Sequence, residues 1–172
     1  MNPELYALSL IEWQLFASLT FKSEKLTEAV RMKMFFALLR RQADNFGVHF
    51  KQTIWCLRQE AGEATGRLHL HALIAGLPSH AATVATCFSF MRMWEGLGGG
   101  IARVTRYSPR LDGVGYVLKG CEAEYQRAGG DYYETRKFGG NCDVMLSESV
   151  FRVLAGRRQI GVRRRQGQRQ AE

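Results

Sequence analysis

The chain has 172 residues, a net charge of +8 and an isoelectric point near 9.6. This length accommodates one domain with a single hydrophobic core. A basic balance favours a polyanionic partner. Because no segment has 18 uninterrupted apolar residues, we expect that partner to be nucleic acid and not a membrane. The four cysteines form no CxxC pair, which predicts free thiols in a reducing compartment. They are Cys56, Cys87, Cys121 and Cys142.

The first two predicted elements are a strand and an amphipathic helix. Residues Ile11 to Phe21 are aromatic and β-prone, which is typical of a core strand. Lys25 to Asn45 shows the i, i+3, i+4 spacing of an amphipathic helix. Its predicted apolar stripe is Leu26, Ala29, Val30, Met34, Ala37 and Leu38. The other face is basic and is interpreted as solvated. It carries Arg31, Lys33, Arg40 and Arg41.

Two further strands are predicted in the middle of the chain. Val48 to Gln59 is rich in β-branched and aromatic residues, and Gly66 to Gly76 is apolar and bounded by glycine. The second strand contains His69 and His71. Because alternate side chains of a strand share a face, these imidazoles project together about 7 Å apart along the chain.

This pair of histidines suggests a metal site if a carboxylate lies nearby. Glu60 ends the preceding strand, and Glu63 lies in the connecting loop. A hairpin would place Glu60 beside the histidines, so Glu60 is preferred and Glu63 is the alternative. Two histidines and one carboxylate suit a divalent ion such as Mg, Mn, Co, Ni or Zn. Taken alone, an HxH pair is also compatible with ordinary half-buried strand residues.

A second helix is expected to begin at Leu77-Pro78-Ser79 and to end at the glycines from Gly96 to Gly100. Its predicted apolar stripe is Val84, Cys87, Phe88, Met91 and Trp94. The next segment, Ile101 to Tyr107, alternates apolar and polar residues like a half-exposed strand. Its polar side would present Arg103 or Arg106 to a phosphate.

Leu111 to Tyr125 predicts a third helix, with a narrow apolar arc and a polar pair opposite to it. The arc is Val114, Val117, Leu118, Cys121 and Tyr125. The opposite pair is Tyr116 and Lys119. A phenol beside an ammonium group is a plausible nucleophile with electrostatic support, because a nearby cation favours phenolate and neutralises a phosphate. A surface tyrosine and a surface lysine without a catalytic role are the alternative.

The last part of the chain mixes aromatic and basic residues. Tyr132, Tyr133 and Phe138 lie among basic residues and could contact single-stranded bases or form a final strand. Ser147 to Ala155 predicts a short helix. Residues 157–169 contain six arginines, so we expect one domain over residues 1–156 and a flexible tail over 157–172 that binds phosphate non-specifically.

Read together, the motifs resemble the HUH endonuclease superfamily, above all its single-tyrosine rolling-circle replication initiators from plasmids and small single-stranded DNA viruses. The segment ASLTF, ending at Phe21, resembles the family's first motif. GRLHLHALI with Glu60 upstream resembles the second, and Tyr116 with Lys119 resembles the third. The resemblance covers roughly residues 11 to 125, and the His-hydrophobic-His motif is its most specific part.

The resemblance implies an α+β fold with a central antiparallel sheet flanked by helices, a ferredoxin- or RRM-like core. It implies metal-dependent, sequence-specific nicking and joining of single-stranded DNA, with Tyr116 as nucleophile, Lys119 as its support and Mg²⁺ or Mn²⁺ held by His69, His71 and Glu60. We expect DNA contacts from Thr20, Arg67, Arg103 and Arg106. Tyr125, Tyr132 and Tyr133 are reserve nucleophiles.

The implied partner is single-stranded DNA at a replication origin, which we expect to form a stem-loop, with a host helicase and polymerase. We expect a cytoplasmic location in a bacterial host, or a nuclear one for a virus of a eukaryote. Alternative interpretations are a single-tyrosine HUH transposase and a non-catalytic single-stranded nucleic-acid-binding module. A zinc hydrolase is disfavoured because the chain has no HExxH motif.

Overall fold

The computed structural model describes residues 7–62, 66–119, 125–129, 133–138, 142–153 and 155–156, and gives only the backbone for residues 125–143 within these ranges. Its α-helices are α1 (Glu28–Asn45), α2 (Val84–Gly96) and α3 (Gly113–Val117). Its strands are β1 (Leu15–Phe21), β2 (Ile54–Ala61), β3 (Leu68–Ala75), β4 (Gly99–Arg106), β5 (Tyr125–Gly129), β6 (Tyr133–Phe138) and β7 (Cys142–Ser147). Residues 148–153 are also helical.

The strands form one antiparallel sheet in the order β4-β1-β3-β2-β7-β6-β5. The sheet is flanked by helices, so the predicted α+β class is confirmed. The histidine strand β3 is an inner strand between β1 and β2. No described helix is both long and apolar enough to cross a membrane.

Alternation along the strands divides the core between two faces of the sheet. On one face, α1 and α2 pack against Leu19, Leu57, Leu70 and their neighbours. On the other face, Cys56, Leu73 and Val144 pack against α3 and the helical residues that begin at 148. The histidines and Tyr116 belong to this second face, which we call the site face.

Helix α1 begins at Glu28 and is capped by Thr27, whose side chain accepts a hydrogen bond from the Val30 amide. The predicted stripe was partly wrong, because Val30 is exposed whereas Met32, Phe35 and Leu39 are buried. Arg31 was predicted to be solvated but is also buried. Its Nε donates to Gln59 at 2.8 Å, which compensates the burial of its charge.

Helix α2 begins at Val84, after a 3-10 turn at Ser79–Ala81, and not at Leu77. Thr83 caps it by accepting from the Thr86 amide at 3.1 Å. Cys87 and Trp94 are buried as predicted. The prediction was wrong for Val84 and Phe88, which are more than half exposed.

The third predicted helix is much shorter than its sequence pattern. α3 spans only Gly113–Val117, and Tyr125 lies in strand β5. In the first half of the predicted segment, Val114, Val117 and Leu118 are buried, as the apolar arc predicted. Cys121 lies outside the described residues. The strands were also shorter or shifted, since β1 begins at Leu15 and β2 at Ile54, after a 3-10 turn at Phe50–Gln52.

Candidate metal centre and tyrosine site

The hairpin of β2 and β3 brings the three predicted metal ligands together. Glu60 pairs directly with His69, and Arg58 pairs with His71. Side chains that are directly opposite in an antiparallel pair share a face. One ligand atom each from Glu60, His69 and His71 can be chosen so that all three lie within 4.8 Å of one another. Glu63, the alternative ligand, lies outside the described residues.

Hydrogen bonds on the Nδ1 atoms orient both imidazoles. His69 Nδ1 lies 3.1 Å from the carbonyl oxygen of Arg67. Because a carbonyl can only accept, Nδ1 is the donor in this contact, and Nε2 is the ring nitrogen that can act as a metal ligand. His71 Nδ1 lies 2.9 Å from Ser18 Oγ on the neighbouring strand. Partners of this kind fix the orientation of metal-binding histidines in proteins.

His71 is the most buried member of the cluster, with 5% of its surface exposed. Its Nε2 is buried and has no hydrogen-bond partner among the described residues. Burial, followed by the charge of His69, lowers the pKa of His71 to about 4, although Glu60 opposes the shift. At neutral pH this ring is therefore uncharged. An unpartnered imidazole nitrogen beside a second histidine and a carboxylate fits a divalent cation.

Helix α3 places Tyr116 against this cluster. Burial of Val114 and Val117 beneath the helix leaves the Tyr116 side chain 46% exposed on the site face. Its ring centroid lies 4.8 Å from that of His71, with the two planes at 76°. Phe16 completes the contact, since its ring stacks on His71 and meets Tyr116 edge to face at 6.0 Å. The predicted nucleophile and the predicted metal ligands thus share one surface.

The start of α3 is fixed by Asp112 and two glycines. Asp112 adopts the left-handed conformation, with φ of 45°, and its carboxylate accepts from the Gly115 amide at 3.0 Å. A Cβ at residue 115 would lie 2.1 Å from Asp112 Oδ2. A Cβ at Gly113 would lie 3.0 Å from the Tyr107 ring. A side chain at residue 115 would therefore displace the Asp112 carboxylate, and one at residue 113 would press on the Tyr107 ring, at the start of the helix that carries Tyr116.

A groove of about 180 Å³ runs along the open side of Tyr116. Ser18 and Thr105 contribute polar groups to it, and Phe16 and Leu111 contribute apolar surface. His71 and Tyr116 both line it, so the groove joins the tyrosine to one of the three potential metal ligands.

Arg58 is a residue of this site that the sequence interpretation missed. Its Nε lies 3.2 Å from Glu60 Oε2, and its Nη1 donates to the carbonyl oxygen of Lys119 at 2.5 Å. Longer contacts of 3.4 Å reach the carbonyls of Tyr116 and Val117. The sequence pattern could have identified it. Alternate side chains of a strand share a face, so Arg58 lies on the same face of the hairpin as Glu60 and the histidines.

Three other predicted site residues are Lys119, Thr20 and Arg103. Lys119 is exposed just beyond α3. Thr20 pairs with His69, and its hydroxyl donates to the Ile101 carbonyl at 2.9 Å. Arg103 pairs with Ser18 and is exposed on the site face.

The other two predicted DNA contacts are Arg106 and Arg67. Arg106 pairs with Leu15, whose side chain belongs to the other face, although Arg106 also lines the end of the groove. Arg67 forms an exposed ion pair with Glu24 at 3.1 Å. Comparison of the chain with family models, curated proteins and solved structures found no match.

Proposed function

We propose that this protein is a metal-dependent endonuclease that nicks and rejoins single-stranded DNA through a covalent link to Tyr116, and so initiates rolling-circle replication. The observation that carries the proposal is the placement of the Tyr116 ring 4.8 Å from the ring of His71, within a cluster of three potential metal ligands. These residues are 45 positions apart in the chain, so their meeting is a property of the fold.

Tyr116 supplies the nucleophile. Its phenolic oxygen attacks the phosphorus of a DNA phosphodiester, and the bond from phosphorus to the 3′ oxygen breaks. The products are a 5′-phosphotyrosine and a free 3′-hydroxyl, which receives the proton lost by the phenol. Because one ester replaces another, the reverse attack by a 3′-hydroxyl rejoins strands without ATP. The free 3′-hydroxyl can also prime DNA synthesis.

Glu60, His69 and His71 would hold Mg²⁺ or Mn²⁺. When bound there, such an ion stabilises negative charge on the phosphoryl oxygens. The protein contributes the orientation of the ligands, through Ser18 and the Arg67 carbonyl, and keeps His71 uncharged by burial. Phe16 packs against both rings and limits their movement.

Basic residues around the site complement the DNA backbone. Lys119 is exposed next to the tyrosine helix, and Arg103 is exposed on the site face of the edge strand β4. Both suit phosphate contacts that position a strand without reading its sequence. We propose single-stranded DNA at a replication origin as the substrate, with a host helicase and polymerase acting after the nick.

The test is a covalent-adduct assay with a single-stranded DNA pool and Mn²⁺, run on a denaturing gel. We expect a slower band that is lost with EDTA and with Tyr116→Phe. His69→Ala is expected to remove the band, whereas His80→Ala, which changes an exposed histidine in a 3-10 turn, retains it. Retention of the adduct by Tyr116→Phe would contradict the proposal. If the protein bound DNA but neither formed an adduct nor bound Mn²⁺, the non-catalytic binding module would be favoured.

A further inference from the structure

Arg58 joins the two halves of the site. Its side chain is 12% exposed and lies between Glu60 on its own strand and the last carbonyls of α3. The planar guanidinium can contact two groups on different sides at once, which a lysine ammonium does less well.

The contact with α3 serves the end of a very short helix. A helix of five residues leaves most of its carbonyls without intrahelical partners, and a cation at its carboxyl end satisfies and stabilises them. Arg58 supplies that cation from the sheet. Because Tyr116 and Val117 lie in this last turn, the same contact limits how far the Tyr116 ring can move from His71.

The contact with Glu60 has a different consequence. The Arg58 Nε and Glu60 Oε2 form an ion pair at 3.2 Å, although Nε lacks hydrogen-bond geometry to any partner among the described residues. A fixed positive charge beside a metal ligand both competes for the carboxylate and repels a cation. Arg58 therefore weakens metal binding while it holds the carboxylate next to the histidines.

We propose that Arg58 is a positioning residue that links the Glu60 carboxylate to helix α3. Its positive charge lowers the affinity of the site for a metal ion, and its contacts with the α3 carbonyls restrict the position of Tyr116. The inference rests on the proposed function for its catalytic consequence. Its structural consequences concern metal affinity and the mobility of α3, and these are measurable without DNA.

The test compares Arg58→Met, which removes the charge, with Arg58→Lys, which keeps the charge but loses the planar fork. Calorimetry with Mn²⁺ should show at least fivefold tighter binding for Arg58→Met and a change below twofold for Arg58→Lys. Hydrogen exchange should become about tenfold faster in peptides covering residues 113–119 of both variants, with no change in β1. Arg152→Met removes an exposed Arg–Glu pair elsewhere and should change neither quantity.

In the adduct assay at saturating Mn²⁺, both Arg58 variants should react at least tenfold more slowly than the wild type. The combination of tighter metal binding with slower reaction is not expected from a general loss of structure. Unchanged or weaker Mn²⁺ binding by Arg58→Met, or unchanged exchange at 113–119, would overturn the inference. If Arg58→Met does not fold, Arg58→Lys decides through its exchange rate. If the wild type forms no adduct, the proposed function fails while calorimetry and exchange still decide the role of Arg58.

Discussion

The ring of Tyr116 meets the ring of His71 at 76°, with 4.8 Å between their centroids. Tyr116 is supplied by α3 and His71 by the inner strand β3, so the contact depends on how that helix packs on the site face. Both rings also contact Phe16. The geometry makes separate predictions for the metal ligands, their hydrogen-bonding partners, the titration of His71 and the start of α3.

Mn²⁺ should stabilise the folded protein through Glu60, His69 and His71. At a concentration 100 times the Kd, binding adds about 2.7 kcal/mol to the free energy of unfolding. Urea denaturation with and without Mn²⁺ measures this gain. We expect His69→Ala to lose it at the same concentration and His80→Ala to keep it. An equal gain in His69→Ala would exclude His69 as a ligand.

Ser18→Ala should weaken Mn²⁺ binding although Ser18 is not a ligand. Its hydroxyl lies 2.9 Å from His71 Nδ1, and removing such a partner costs about tenfold or more in metal affinity. Ser89→Ala is the matched control, since the Ser89 hydroxyl accepts from Gln42 on the other face of the sheet. Calorimetry that gives equal Mn²⁺ affinities for the two variants would show that Ser18 does not orient His71.

The metal-free protein should lose stability as the pH falls below 6.5. His71 has a pKa of about 4 in the folded state and an ordinary value of 6.5, so between these values the unfolded state binds the additional proton. The contribution of His71 to the free energy of unfolding is constant above pH 6.5 and decreases by about 3 kcal/mol as the pH falls to 4. Urea denaturation in EDTA measures the slope. The slope should be smaller in His71→Asn, and an identical slope would argue against a buried neutral His71.

How much of this site the sequence predicts depends on the range of each contact. Strand alternation and hairpin pairing were enough to place Glu60 beside His69, because both relate residues that are close together in the sequence. The contact of Tyr116 with His71 was implied only by the family resemblance, since no local pattern relates residues 45 positions apart.

Two predictions failed because tertiary contacts override periodicity. Tyr125 fits a helical arc but lies in β5, where it pairs with Phe138. Arg31 fits a solvated face but is buried, because Gln59 satisfies its guanidinium and the Phe21 ring lies 6.0 Å away. The Arg-rich segment 157–172 and the reserve nucleophile Tyr132 lie outside the described residues, so the predictions for them stay predictions.

Gly115→Ala should slow adduct formation without changing Mn²⁺ affinity. The added Cβ would lie 2.1 Å from Asp112 Oδ2 and displace the carboxylate that caps α3. Loss of a helix cap costs about 0.5–2 kcal/mol. Gly96→Ala is the control, because a Cβ there has nothing within 4 Å. If Gly115→Ala formed adduct at the wild-type rate, the start of α3 would not control the position of Tyr116.

The most direct test of the proposed function is to locate the DNA on the protein after the adduct reaction. Trypsin separates the candidate nucleophiles, because residues 111–119 contain Tyr116 alone, residues 120–127 contain Tyr125, and residues 128–136 contain Tyr132 and Tyr133. After nuclease trimming, mass spectrometry should find a nucleotide phosphate on the peptide 111–119 only. Attachment to either of the other peptides would contradict the assignment of Tyr116 as the nucleophile.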